Sequence, residues 1–447
     1  MADDITQAGD FSVARSDFPE GFVFSTATSA YQIEGHAFGG AGETHWDAFA
    51  RVPGKVDRGE DGAVACDHYH RWAEDLDLIA AAGLDAYRFS TSWARVMPDG
   101  VNVNAEGLDF YDRLVDGMLA RGLKPMATLY HWELPQALSE AGGWTVRETP
   151  ERFADFAAAI ADRLGDRLFS VAPINEPWCV SWLSHYHGYH APGLASLAAG
   201  VTSMHYVALA HGLAVQVLRE RGVARVGAAC NMEYALPATD SETDRAAAQA
   251  YDGIYSRFFP GGMMHGEYPA DVMEGFAPHM PAGWQDDMGL ISQKLDWFGI
   301  NYYTCKRIVG EAGLWPYKGD VPGPLPKTDM GWEICPEGME FLLERTARDF
   351  TGDTPLFITE NGLANPDHDA GRPDLERIDY LDRHFHAALR LIERGVPLEG
   401  YTIWSLLDNY EWTLGYDKRF GLVHVDFETQ ARTPKASYHA LARMLSR

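Results

Sequence analysis

Residues 109–130 read DFYDRLVDGMLARGLKPMATLY, and the fold is legible in that stretch. Apolar residues at helical spacing cover Asp109–Arg121, Gly122 interrupts them, and Lys124–Tyr130 continues as the short apolar run of a strand. A glycine just past a helix is the residue that best accepts the left-handed turn ending it. The same joint stands at Ala82-Gly83-Leu84, between the helical pattern Tyr69–Ala82 and the strand-like run Ala86–Trp93. Working outward, further strand-like runs appear at Phe22–Ala30, Phe169–Glu176, Arg225–Asn231, Leu295–Tyr303, Pro355–Glu360 and Leu398–Leu406. Helical patterns at Glu151–Leu164, Ser203–Arg221 and Ile378–Arg394 fall between them. Eight strands alternating with helices, with no Ser-rich linker, predict an α/β fold: a single (β/α)8 TIM barrel with long βα loops. Residues 1–17 are expected as an amino-terminal tail and 18–447 as the barrel domain. Val309–Glu337, dense in Gly and Pro and carrying Trp315, Tyr317 and Trp332, reads as a long loop after the sixth strand. Loops on that side of such a barrel form its active face.

Composition narrows the partners. Hydrophobic residues make up 46% and charged residues 23% of the 447, ordinary for a chain that buries a large core. A formal charge of -27 repels phosphate backbones and anionic lipid surfaces, so neither nucleic acid nor a membrane is the expected partner, and a small neutral ligand fits better. The start MADDITQAGDFS lacks the basic and apolar segments of a secretory signal, and no stretch of about 18 apolar residues is evident. The expected location is cytoplasmic; homo-oligomer formation is left open. Cys66, Cys179, Cys230, Cys305 and Cys335 are odd in number and without a C-x-x-C pair, and read as buried free thiols.

Two carboxylates stand where chemistry is expected. Pro173-Ile174-Asn175-Glu176-Pro177 ends the fourth strand, since Pro177 cannot extend a ladder, and marks Glu176 as its last residue. In Ile358-Thr359-Glu360-Asn361-Gly362 the apolar strand ends in an acid followed by a turn-forming Asn-Gly. A barrel brings both to one rim despite their separation in sequence. A pair of carboxyls, one to protonate a leaving oxygen and one to attack or support the anomeric carbon, is what glycoside hydrolysis requires.

The chain resembles glycoside hydrolase family 1 from about Phe18 to Arg447. The matching elements are Phe22–Gly35, Tyr87-Arg88-Phe89-Ser90 with Ser92-Trp93, Leu129–Pro135, Asn175-Glu176-Pro177, Ile358–Gly362 and Trp404–Trp412; Ser25 departs, standing where the family usually has Gly. The resemblance implies a retaining β-glycosidase, a β-glucosidase, hydrolysing terminal β-D-glucosyl residues through a covalent glycosyl-enzyme intermediate, with polysaccharide and cellulose breakdown as its setting. It assigns Glu360 as nucleophile and Glu176 as acid/base. Arg88 and Tyr303 are then expected to hold Glu360 ionised, and a less polar surrounding to raise the pKa of Glu176. Retaining geometry calls for carboxyls about 5–5.5 Å apart.

For the sugar, the resemblance implies Asn175 on the 2-hydroxyl, Gln32, His131 and Glu411 on the outer hydroxyls, Tyr303 near the nucleophile, and Trp404 and Trp412 as flat faces, with Trp332 lining the leaving-group side. Glu411 would repel a 6-phosphorylated sugar, and Lys418 and Arg419 do not overturn that. In Trp182–His190, Ser184 and His185 stand where relatives often carry Gly and an aromatic, which predicts a reshaped entrance. β-Galactosidase or β-fucosidase activity and transglycosylation at the same site remain alternatives. A sugar-binding protein without catalysis is disfavoured by the presence of both glutamates.

No cofactor and no metal are expected. The pairs His68/His70, His185/His187 and His384/His386 have a two-residue spacing that puts helical side chains on different faces. Gly39–Gly42 has no phosphate-loop spacing.

Overall fold

The computed structural model describes residues 9–366 and 371–446. Eight parallel strands build the barrel: β1 (Val23–Ala27), β2 (Ala86–Ser90), β3 (Lys124–Tyr130), β4 (Ser170–Ile174), β5 (Gly227–Pro237), β6 (Trp297–Val309), β8 (Leu356–Asn361) and β9 (Leu398–Trp404). A ninth short strand, β7 (Gly319–Val321), runs antiparallel on β6. The sheet order is β4-β3-β2-β1-β9-β8-β6-β5. Parallel bridges Val171↔Val226 and Asn175↔Ala229 join its two ends and close the barrel.

Its interior is filled rather than hollow. Val23, Ala86, Met126, Ala172, Ala229, Trp297 and Phe357, one from each of seven strands, form a single buried layer. The small Ala86, Ala172 and Ala229 leave the volume that Trp297 and Phe357 take up. Outside, each helix buries one stripe: Leu108, Tyr111, Leu114, Val115 and Met118 of Ala105–Ala120 recur at the spacing of a helix face. Gly83 (φ +77°) and Gly122 (φ +73°) are both left-handed, as the two sequence joints require.

The structure corrects several boundaries. The first strand stops at Ala27 because Ala30–Ile33 already turns into a helix. The fifth and sixth strands run on to Pro237 and Val309, well past Asn231 and Tyr303. Val309–Glu337 is not all loop: it holds β7, and the helix Pro336–Thr346 begins inside it. The fourth strand ends at Ile174, so Glu176 lies just beyond it with φ +50°. Asn361 is still strand, its amide bonded to Tyr302 O at 2.7 Å and Tyr380 Oη at 3.0 Å, so it does not form a turn. The helix Leu197–Glu220 is, against expectation, long and apolar enough to cross a bilayer, because it is a core helix with 78% of its apolar window buried. Phe11 and Val13, within the segment expected as a tail, are buried, and Phe11 packs on Phe385 at 5.3 Å; residues 1–8 of that segment lie outside the described residues.

Candidate active site

The carboxyl ends of the strands open into a pocket of about 550 Å3. Glu176, Glu360, His131, Tyr303, Trp332, Trp404, Glu411 and Trp412 all line it. Arg88, Asn175 and Gln32 form the layer behind that wall, each at most 2% exposed. Sequence reasoning therefore named residues that the fold gathers from β1, β2, β3, β4, β6, β8, β9 and the loops that follow them.

Glu360 is held at both oxygens. Arg88 Nη1 donates to Oε1 at 2.6 Å, and Tyr303 Oη donates to Oε2 at 2.7 Å. The other arm of the guanidinium, Nη2, donates to Asn175 Oδ1 at 2.6 Å. Asn301 Nδ2 donates to the same Oδ1 at 3.0 Å. With its oxygen so engaged, Asn175 has only its Nδ2 hydrogens left to offer, and Nδ2 lies 3.3 Å from His131 Nε2. The His131 ring is stacked near Trp404 (5.6 Å, 19°) and Trp412 (6.2 Å, 14°), and burial, with Arg88 nearby, holds its pKa well below the ordinary value, leaving the imidazole neutral.

Glu176 is buried like Glu360 but has different partners. It is 6% exposed and, among the described residues, pairs with no cation; its partners are Asn301 Nδ2 at 2.8 Å on Oε1 and the Cys179 thiol at 3.1 Å on Oε2. Burial first, and then the negative charge of Glu360, push its pKa up to about 8, against the pull of those two donors and Arg88. The barrel thus supplies one carboxyl clamped by donors and another that keeps its proton near neutral pH. Three non-glycine residues with left-handed backbone, Trp132 (φ +74°), Glu176 (φ +50°) and Trp412 (φ +53°), line this one pocket. Such conformations cost on the order of 1–2 kcal/mol and persist where surrounding contacts enforce them. At Glu176 the enforcing contact is its N–H on Ala229 O at 2.9 Å.

Glu411 is also raised, to about 8, by burial and then by Glu360 and Glu176. Gln32 Nε2 lies beneath it at 3.4 Å and bonds Tyr410 O at 2.8 Å. Lys418 is tied to Asp329 (2.8 Å) and Asp417 (3.3 Å), and Arg419 to Asp408 (3.4 Å), so neither stands as a free cation toward the pocket. Trp332 packs against Tyr303 (5.4 Å) and Phe420 (6.3 Å).

Ser184 and His185 do not shape the entrance directly. Both are buried in the wide helical turn Cys179–Tyr186, Ser184 donating to Cys179 O at 2.8 Å and His185 Nδ1 lying 3.2 Å from Ser181 O. Their neighbours Leu183, Tyr186, His187, Tyr189 and His190 line the pocket instead. Asn301 and the Glu176 contact of Cys179 escaped the sequence reading. A polar Asn inside the otherwise apolar strand Trp297–Tyr302 was the available signal for the first; nothing distinguishes Cys179 from the four other buried free thiols.

The sequence profile of glycosyl hydrolase family 1 matches residues 14–446. A β-glucosidase of Agrobacterium sp. is 46% identical over 439 residues, covering 95% of each chain. A bifunctional β-D-glucosidase/β-D-fucosidase of Bifidobacterium breve is 40% identical over 458 residues, covering 96% of this chain and 98% of that one. The family 1 β-glucosidase of Thermotoga maritima, solved in complex with isofagomine lactam, superposes with a TM-score of 0.92 at 40% identity, covering 97% of this chain and 99% of that chain.

Proposed function

We propose that this chain, which belongs to glycosyl hydrolase family 1, is a retaining β-glucosidase in which Glu360 attacks the anomeric carbon and Glu176 serves as acid and then as base. The observation that carries the role assignment is the contrast between the two carboxyls: Glu360 between Arg88 and Tyr303, and Glu176 buried with its pKa near 8.

In the first step a Glu360 oxygen forms a bond to C1 while the C1–O bond to the leaving group breaks and Glu176 gives its proton to the departing oxygen. Forming the ester removes the charge of Glu360, which is the second cause of the raised pKa of Glu176. Glu176 therefore becomes a stronger acid at the moment it has lost its proton, and is left as the carboxylate that takes a proton from water in the second step. Water's oxygen then bonds C1 and Glu360 leaves. Asn175, with only N–H to offer, is suited to the sugar 2-hydroxyl, and Trp404 and Trp412 to the C–H faces of the ring. β-Fucosidase activity at the same site is a second reading, supported by the bifunctional Bifidobacterium relative. Five unpaired, buried thiols suit a reducing cytoplasm, where we place the enzyme, acting on β-glucosides released from cellulose and similar glucans.

A panel of nitrophenyl β-glycosides tests the roles. Glu360→Ala is expected to lose essentially all turnover and to regain part of it with azide, giving the α-linked glycosyl azide. A β-linked product would mean that another group is the nucleophile.

A further inference from the structure

Two of the five thiols are neighbours. Cys305 lies on β6, Cys335 caps the amino end of the helix Pro336–Thr346, and the two side chains are within hydrogen-bond reach of each other. By contrast Cys66 donates to a backbone oxygen, Asp408 O at 3.2 Å, and Cys179 to Glu176. Neither Cys305 nor Cys335 has a part in the reaction above.

A bulge in β6 brings them together. Between Met232↔Tyr302 and Tyr234↔Cys305, three steps of β6 oppose two of β5. Strict alternation from Asn301 would turn Cys305 toward the pocket; the extra residue turns it onto the face of Tyr302 and Tyr234 and leaves Lys306 on the pocket wall. The helix Pro336–Thr346 packs on that face: Tyr302 Oη donates to Cys335 O, and Phe341 meets Tyr234 at 4.6 Å. A Cβ on Gly338, in the first turn of that helix, would collide with Tyr302 Oη, so glycine permits the close approach. Residues 306–334 leave from one cysteine and return to the other, carrying Met330 and Trp332 to the pocket wall on the way. A bond between the two sulfurs would close that excursion at its foot.

The two thiols are chemically unequal. The hydrogen bond from Cys305, and then the Gly338 N–H at the start of the helix, hold the pKa of Cys335 below the ordinary thiol value. The same shared bond, and then burial, raise that of Cys305. Cys305 has one hydrogen for two acceptors, Cys335 and Glu333 Oε2 at 3.5 Å. It also borders a cavity of about 30 Å3, with Lys306, Arg307 and Lys327 in its wall, which has room for one small polar molecule beside the pair.

We propose that Cys305 and Cys335 form a redox site, at which hydrogen peroxide joins them in a disulfide that fastens the Trp332 segment to β6 and from which a dithiol releases it. In the first step the Cys335 thiolate bonds one peroxide oxygen, the O–O bond breaks, and the departing hydroxide takes a proton from solvent to become water, leaving a sulfenic acid. The Cys305 sulfur then bonds the Cys335 sulfur, the S–O bond breaks, and the second hydroxide leaves as water with the Cys305 proton. The two thiols give up two electrons and two protons, and one peroxide becomes two waters. The site does not depend on the roles of Glu176 and Glu360.

The test treats the full-length protein with hydrogen peroxide and maps its peptides. Wild type is expected to lose two of its five thiols together and to yield one cross-linked pair, Cys305 with Cys335. Its Tm should rise by about 3–5 °C, as expected for a bond that closes a long loop, and dithiothreitol should reverse both changes. In Cys305→Ser the sulfenic acid should stay on Cys335, where dimedone captures it. In Cys335→Ser dimedone should label Cys305 about 10-fold less, since that thiol keeps its proton. Circular dichroism checks that each variant is folded before labelling, and the wild-type cross-link tests the proposal without either variant. Wild type left unlinked by peroxide, a cross-link through Cys66, Cys179 or Cys230 instead, a linked protein with unchanged Tm, or equal labelling of the two variants overturns it.

Discussion

Asn301 donates from Nδ2 to Oε1 of Glu176 at 2.8 Å, and its own oxygen is fixed by Thr359, whose hydroxyl donates to Oδ1 at 2.6 Å. Thr359 precedes Glu360 in sequence, so the strand bearing one carboxyl sets the amide orientation that the other carboxyl feels. An amide whose oxygen is engaged can present only N–H to Glu176, which favours the ionised form.

Replacing Asn301 by Ala removes that donor. The pKa of Glu176 should rise further, by about one to two units if the bond to the charged form contributes 1.5–3 kcal/mol. The alkaline limb of kcat/KM then moves to higher pH, while the second step, which needs Glu176 as base, slows. A limb that stays in place or moves down would show that Asn301 does not act on this proton.

The unmodified enzyme should itself lose kcat/KM as pH rises through about 8, because the free enzyme's acid is then deprotonated. Glu360→Gln removes the negative charge that is the second cause of the shift, so the Glu176 carboxyl should titrate at lower pH in that variant. Carbon-13 NMR of labelled glutamate reads this without turnover. An unchanged titration would separate the two groups electrostatically and weaken the account of how the acid becomes a base.

The barrel was readable because parallel strands buried on both faces are short apolar runs, and because Gly83 and Gly122 mark helix ends by a backbone angle only glycine takes easily. The strand ends were not. Glu176 sits outside β4 in a left-handed conformation, and β5 overruns the barrel through half-buried residues while β6 does so through buried and half-buried residues mixed without regular alternation. Glu176 and Glu360 could be named from strand-end position and motif, and Arg88 and Tyr303 with them. The β6 bulge that turns Lys306 inward depends on pairing between strands distant in sequence, which no local pattern records.

Arg88 bridges two acceptors, Glu360 Oε1 and Asn175 Oδ1, with separate arms of one guanidinium. Lysine keeps the charge but not the fork. Arg88→Lys should lower kcat/KM by about 10- to 100-fold, the loss expected from one charge-assisted hydrogen bond of 1.5–3 kcal/mol. The fall should appear in kcat more than in KM, since both acceptors of the guanidinium, Glu360 and Asn175, serve at the reacting carbon or the hydroxyl beside it. A pure KM effect would assign Arg88 to ground-state binding alone.

Glu133 offers a stability test away from the reacting pair. It is 1% exposed and accepts from Ser92 at Oε1, and among the described residues Oε2 has no hydrogen-bond partner. Burial first, then Glu34, push its pKa up to about 8, against Ser92 and Arg95. In the unfolded chain the same carboxyl titrates near 4.3. Between those values the folded state holds the proton more tightly than the unfolded state, so stability falls as pH rises from about 4.3 to 8, by on the order of 4 kcal/mol for this group. Glu133→Gln keeps a neutral side chain at every pH and should flatten that part of the decline. Glu176 and Glu411, raised for the same reason, retain theirs, so the slope is reduced rather than abolished. Denaturant midpoints at pH 5, 7 and 9 measure it: the variant should lose less stability than wild type between the first and last. Parallel curves would mean that Glu133 is already ionised in the folded protein, with solvent or a shift of Arg95 compensating its charge.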